Sequence, residues 1–93
     1  MKKIIDGKMY NTDTAKEIAV DKDFNDNVCK TTYLTYYKKK TGEFFTHFNG
    51  WTTWGNIYEY EKITPISEEH AKLTLEDLLS VSDYEELFGA VEE

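Results

Sequence analysis

The chain has 93 residues, 15% of them aromatic, a single cysteine and a formal net charge of −7. That length holds one domain, spanning 1–93, and a chain of this size buries only about 60–65% of its extended surface, so each large apolar side chain counts. Cys29 as the only thiol excludes an intramolecular disulfide, Asp6 and Gly7 end the apolar run after Met1 far short of a secretory leader, and no stretch approaches a membrane span; a soluble cytoplasmic protein is expected.

Asp6-Gly7 between Lys3-Ile4-Ile5 and Lys8-Met9-Tyr10 is a two-residue hairpin signal, since both turn positions need positive φ. In that register Ile4 faces Met9, giving the hairpin an apolar face. Asn11 or Thr12 then reads as the cap of a short helix carrying Ala15, Ile18 and Ala19 at i, i+3 and i+4, with Tyr10 packing on Ala15 as a hydrophobic staple. The polar stretch 21–27, DKDFNDN, reads as the loop that follows.

The middle reads as antiparallel sheet. TTYLTYY (31–37) and EFFTHF (43–48) are dense in β-branched and aromatic residues, joined by KKKTG, where Gly42 is free to take positive φ. NGWTTWGN (49–56) reads as a longer connection and IYEYEKIT (57–64) as a third strand, with either of its faces open as the buried one. Pro65 is expected to stop that strand. Ser67 caps a helix whose Ala71, Leu75, Leu78 and Leu79 form one stripe; Ser82 and Glu85 suggest a capping box for a last helix with Tyr84, Leu87, Phe88 and Val91 inward and Gly89 as its stop. The expected class is α+β: an N-terminal β-hairpin and short helix, a central antiparallel sheet and two C-terminal helices.

Charge is unevenly placed. Residues 1–65 hold ten Lys against nine acids, whereas residues 66–93 hold nine acids against Lys72 alone, a charge of −8. Glu68, Glu69, Asp83 and Glu85 suit helix N-termini through the macrodipole. Glu76, Asp77, Glu86, Glu92 and Glu93 lie mid-helix or late, where like charges cost stability. Carboxylates at i, i+3 and i+4 stand roughly 5–6 Å apart, a spacing loosely comparable to successive phosphates, and a one-signed surface accelerates encounter with a basic partner. Glu69, Glu76, Asp77, Asp83 and Glu86 are therefore the candidate partner-binding set, with Trp51 and Trp54 of the aromatic middle as a rival surface. The opposite signal is YYKKK, where Tyr36 and Tyr37 beside Lys38, Lys39 and Lys40 supply the stacking and phosphate-binding parts of a single-strand binder.

Catalytic and metal signatures are missing from the sequence. His47 and His70 have no zinc spacing with Cys29, a Cys29–His47 pair has no supporting motif, Asp21, Asp23 and Asp26 lack the closing Glu and central Gly of a calcium loop, and the glycines occur singly. The expectation is a non-enzyme without metal or cofactor.

Two ends of the chain carry a resemblance. KKIIDGKMYNTDTAKEIA (2–19) resembles the opening of a group of small proteins from Firmicutes and their mobile elements, with a lysine-rich strand, a Gly turn and a Tyr-x-Thr-x-Thr-Ala run; ITPISEEHAK and SDYEELFGAVEE resemble their ending. That group looks to include type II-A anti-CRISPR proteins. The resemblance implies a non-enzymatic inhibitor of a type II RNA-guided DNA nuclease, acting as an acidic nucleic-acid mimic against guide RNA or target DNA binding, and no site residue transfers from it. The alternative is a mobile-element accessory protein that binds nucleic acid through the Lys38–Lys40 hairpin.

Overall fold

Asp6 and Gly7 take φ of 51° and 76°, the positive values that their turn requires, and close a hairpin between β1 (Lys2–Ile5) and β2 (Lys8–Asn11). The structure, a computed structural model, describes residues 1–25, 30–52 and 58–91. Ile4 does pair with Met9, but both are more than half exposed. The hairpin instead docks through its other face, where Tyr10 is 5% exposed and Ile5 packs beside it.

After the hairpin the expected helix does not form. Asn11 behaves as a cap for one turn only: its Oδ1 accepts from the Asp13 amide at 3.0 Å and its carbonyl from the Ala15 amide at 3.1 Å. The chain then extends as β3 (Lys16–Asn25), so the stretch read as a loop from Asp21 is strand as far as Asn25. A short isolated helix is marginal in water, whereas β3 pairs with β4 along its whole length. A register irregularity between Glu17 and Ala19 explains the helical-looking spacing: Ile18 and Ala19 both pack toward the C-terminal helices, while Ala15 packs on the opposite side with Tyr10.

β3, β4 (Lys30–Lys38), β5 (Phe44–Thr52) and β6 (Tyr58–Ile66) form an antiparallel sheet in the order β3-β4-β5-β6. Asn49–Thr52 continue β5 rather than opening a long connection. β6 likewise runs through Pro65 to Ile66, with Pro65 opposite Phe45. It is an edge strand, and an edge has one side that needs no amide donor. Ser67 caps α1 (Glu68–Leu78), its Oγ accepting from the His70 amide. The cap of α2 (Val81–Phe88) is Ser80, which accepts from the Asp83 amide, and not Ser82. Gly89 ends α2 at φ 93°, as its position suggested.

The sheet is covered on both sides at one end. On one face Tyr36 and Phe44 pack with Ala71 and Leu75 of α1, and Leu78, Leu79, Leu87 and Phe88 close around them. On the other, Phe45 and Ile63 take Tyr10 of the hairpin. These clusters draw on strand residues 18–19, 34–37, 44–45 and 63–66. Among the described residues, none from the opposite end of the sheet joins either cluster. A radius of gyration of 15.0 Å, against about 12 Å for a compact chain of this length, reflects that extension.

Candidate partner-binding surface

α1 and α2 carry seven described carboxylates, Glu68, Glu69, Glu76, Asp77, Asp83, Glu85 and Glu86, all exposed. Only Glu68 has an ion pair among the described residues, with Lys72 at 3.9 Å. The cause lies in the stripe pattern. Burial of Ala71, Leu75 and the Leu78–Leu79 corner turns the remaining helix positions to water.

The five acids singled out from the sequence do not form one patch. Helical spacing puts Glu69, Leu73, Glu76 and Asp77 on the outward half of α1, away from Ala71 and Leu75, with Glu76 and Asp77 on either side of Leu73. Glu76 also rims an open groove of about 280 Å³ between Leu79, Val81, Tyr84 and Val91. Asp83 and Glu86 turn the other way. They line a cleft of about 410 Å³ whose facing wall includes Lys16 and Lys38. Asp83 and Glu86 of α2 therefore share a cleft with Lys16, Lys38 and Glu17 of the sheet, whereas Glu85 and the carboxylates of α1 lie outside it.

Of the rival aromatic pair, Trp51 lies in β5 in register with Thr31 and Glu59, and Trp54 falls outside the described residues, as does Cys29. His47 stands with its Nε2 buried and 3.8 Å from Glu61 Oε1, too far for a hydrogen bond. Among the described residues no group of three or more His, Cys, Asp or Glu could hold a metal ion, and no helix is long and apolar enough to cross a membrane.

The lysine hairpin is built into the fold. Tyr36 is 5% exposed in the core, and Tyr37 lies flat on Phe45 with centroids 5.1 Å apart and planes 9° apart. Tyr36 is therefore part of the core, and one face of the Tyr37 ring is already covered by Phe45. Burial, then Glu17 and Asp13, pushes the Tyr37 phenol up from its ordinary pKa. Lys38 lies 5.6 Å over Phe44, and Lys39 lies 4.3 Å over Tyr10 while meeting Glu43 at 3.4 Å. Lys40 is exposed. The turn closes through Gly42, at φ 95°, which donates to the Lys39 carbonyl.

Glu43 is the joint that sequence reasoning missed. Its carboxylate accepts from Lys8 of β2 at 3.0 Å and from Thr41 at 3.2 Å, tying the N-terminal hairpin to the β4–β5 turn. The Lys8 hydrogen bond is the main reason that its pKa falls below the ordinary value, and the same contact raises that of Lys8. A long-range pair of this kind leaves no local pattern in the sequence. Comparison with protein families, curated proteins and solved structures finds no match for this chain.

Proposed function

We propose that this protein is a non-enzymatic inhibitor of anti-CRISPR type, which binds a bacterial type II RNA-guided DNA nuclease and blocks guide RNA or target DNA binding through an acidic surface. The observation that carries the reading is the set of exposed carboxylates on α1 and α2, of which only Glu68 is ion-paired among the described residues. Such nucleases hold guide and target in strongly positive channels. A small domain whose last two helices present carboxylates at helical spacing fits such a channel by charge and by scale. The resemblance of both chain ends to the anti-CRISPR-containing group supports the choice of target. The lysine-hairpin alternative is weaker, because Tyr36 and Tyr37 are packed against other side chains.

Reversal of Glu76 and Asp77 to Lys tests the reading. Both are exposed and lie in the last turns of α1, which has no basic residue of its own there. Positive charge at a helix C-terminus is favoured by the macrodipole, so the fold should be unharmed. In a mobility-shift assay the native protein alone should leave short DNA and RNA unshifted, yet reduce the nuclease–guide or nuclease–target complex. The E76K/D77K variant should bind the nuclease about tenfold to a hundredfold more weakly, and native association should slow with added salt. If the reversal changes nothing while Trp51→Ala and Trp54→Ala abolish binding, the acidic face is only a solvated exterior.

A further inference from the structure

Val20, Asp21, Lys22, Asp23 and Phe24 are five consecutive exposed residues on a strand with a neighbour on one side only. Beyond the ladder to β4, their backbone groups make no hydrogen bond to any other described residue. A row of unpaired amides and carbonyls is a template for another strand. The other edge, β6, carries Pro65, whose missing amide blunts pairing there. The irregularity of β3 lies earlier, between Glu17 and Ala19, so the register is regular from Val20 onward.

The two faces of this edge differ in chemistry. Asp21 and Asp23 stand opposite Leu34 and Thr32 on the helix side of the sheet. Val20 and Phe24, 45% and 56% exposed, stand opposite Thr35 and Thr31 on the other. Lys22 lies between those two, its amine 5.7 Å over the Tyr33 ring.

A second copy of the chain is a poor occupant. Two β3 edges paired antiparallel about a two-fold axis set Asp21 against Asp21, Asp23 against Asp23, or Asp21 against Asp23 in the registers centred on this stretch. Like charges directly opposite one another are destabilising. We propose that the edge from Val20 to Phe24 takes up an extended strand of a partner protein, with Lys or Arg opposite Asp21 and Asp23 and apolar side chains opposite Val20 and Phe24. Main-chain hydrogen bonds give such an added strand its affinity, and the alternating side chains give it its specificity. The edge belongs to β3 and not to α1 or α2, and the inference goes beyond the inhibitor reading and stands whichever protein is the target.

The test uses the intact protein and a short synthetic peptide centred on Val-Lys-Glu-Arg-Val. Two further versions carry N-methyl groups on every second amide, one in each frame, and a last version has its acidic and basic residues exchanged. The parent peptide should shift amide resonances of Val20–Phe24. One methylated frame should bind as the parent does, and the other should lose about tenfold or more, because its methyls face β3. D21K/D23K, with circular dichroism unchanged, should weaken the parent peptide by a similar factor and favour the charge-exchanged one. The proposal is overturned if both methylated frames bind alike, if the shifts fall on α1 and α2 instead, or if the parent peptide does not bind at millimolar concentration.

Discussion

Phe45→Leu measures how firmly the N-terminal hairpin is locked to the sheet. Phe45 is fully buried, with the Tyr10 ring edge-on at 5.4 Å and 75° and the Tyr37 ring stacked at 5.1 Å. Leucine keeps most of the apolar volume and removes both ring contacts. Each contact is worth about 0.5–1.5 kcal/mol beyond area burial, and imperfect repacking adds up to about 1.5 kcal/mol. A loss of about 1–4.5 kcal/mol follows, a large share of the ~5–14 kcal/mol expected for a domain of this length. In urea, with a slope of about 2 kcal/mol/M, the midpoint should fall by about 0.5–2 M. The Tyr10→Leu, Phe45→Leu cycle isolates the hairpin's part. The Lys39–Tyr10 contact at 4.3 Å is lost in both Tyr10 legs and cancels. A coupling of about 0.5–1.5 kcal/mol is expected. If Tyr10→Leu costs the same in both backgrounds, the edge-on geometry contributes nothing and the hairpin is held by area alone.

Ser80→Ala should cost about 0.5–2 kcal/mol as loss of the α2 cap, while Ser82→Ala, exposed and uncapping nothing, should stay within about 0.5 kcal/mol; equal costs in urea would refute the cap assignment. The Glu43 joint should show in the pH dependence of thermal melting. Because the folded pKa of Glu43 lies below its ordinary 4.5, its contribution is present above that value and is lost as pH falls through the folded pKa. Lys8 has the opposite sign: raised above 10.5, it contributes below that value and loses the contribution as pH rises through its folded pKa. Glu43→Gln should therefore approach the native melting curve at acid pH and part from it above about 4.5. Curves parallel throughout would remove the Lys8–Glu43 contact from the account.

Most of the fold was legible wherever local chemistry and tertiary pairing agree. The Asp6-Gly7 turn, the aromatic strands, the Ser67 cap and the Gly89 stop each follow from one residue type meeting one backbone demand. The failure at residues 12–25 is instructive because the local signals there were real. Asn11 does cap a turn, and Ala15, Ile18 and Ala19 do all pack inward. They pack on two different sides, and an irregular strand reproduced the spacing that a helix would have shown. Pro65 misled in a related way: it bars a central strand but not an edge one, and β6 owes its edge position to the order of the sheet.

The candidate surface divides along the same line. The amount of acidic charge in the last helices is a property of composition, but its layout depends on the corner at Leu79 and Ser80. That corner seats Asp83 and Glu86 beside Lys16 and Lys38 of the sheet, more than forty positions earlier in the chain. It leaves Glu69 and Glu76 facing outward beside Leu73, with no basic side chain paired to either among the described residues. The four carboxylates of α1, with Lys72 among them, and the three of α2 give each helix the same net charge of −3, but not the same surroundings. For a basic channel, α1 is the stronger pole, because the cleft lysines offset part of what α2 presents. The same folding step that spends β3 on the sheet, rather than on a helix, creates the open edge at Val20–Phe24. Had the chain after the hairpin formed the expected short helix instead, β4 would be the outer strand and the sheet would present a different edge.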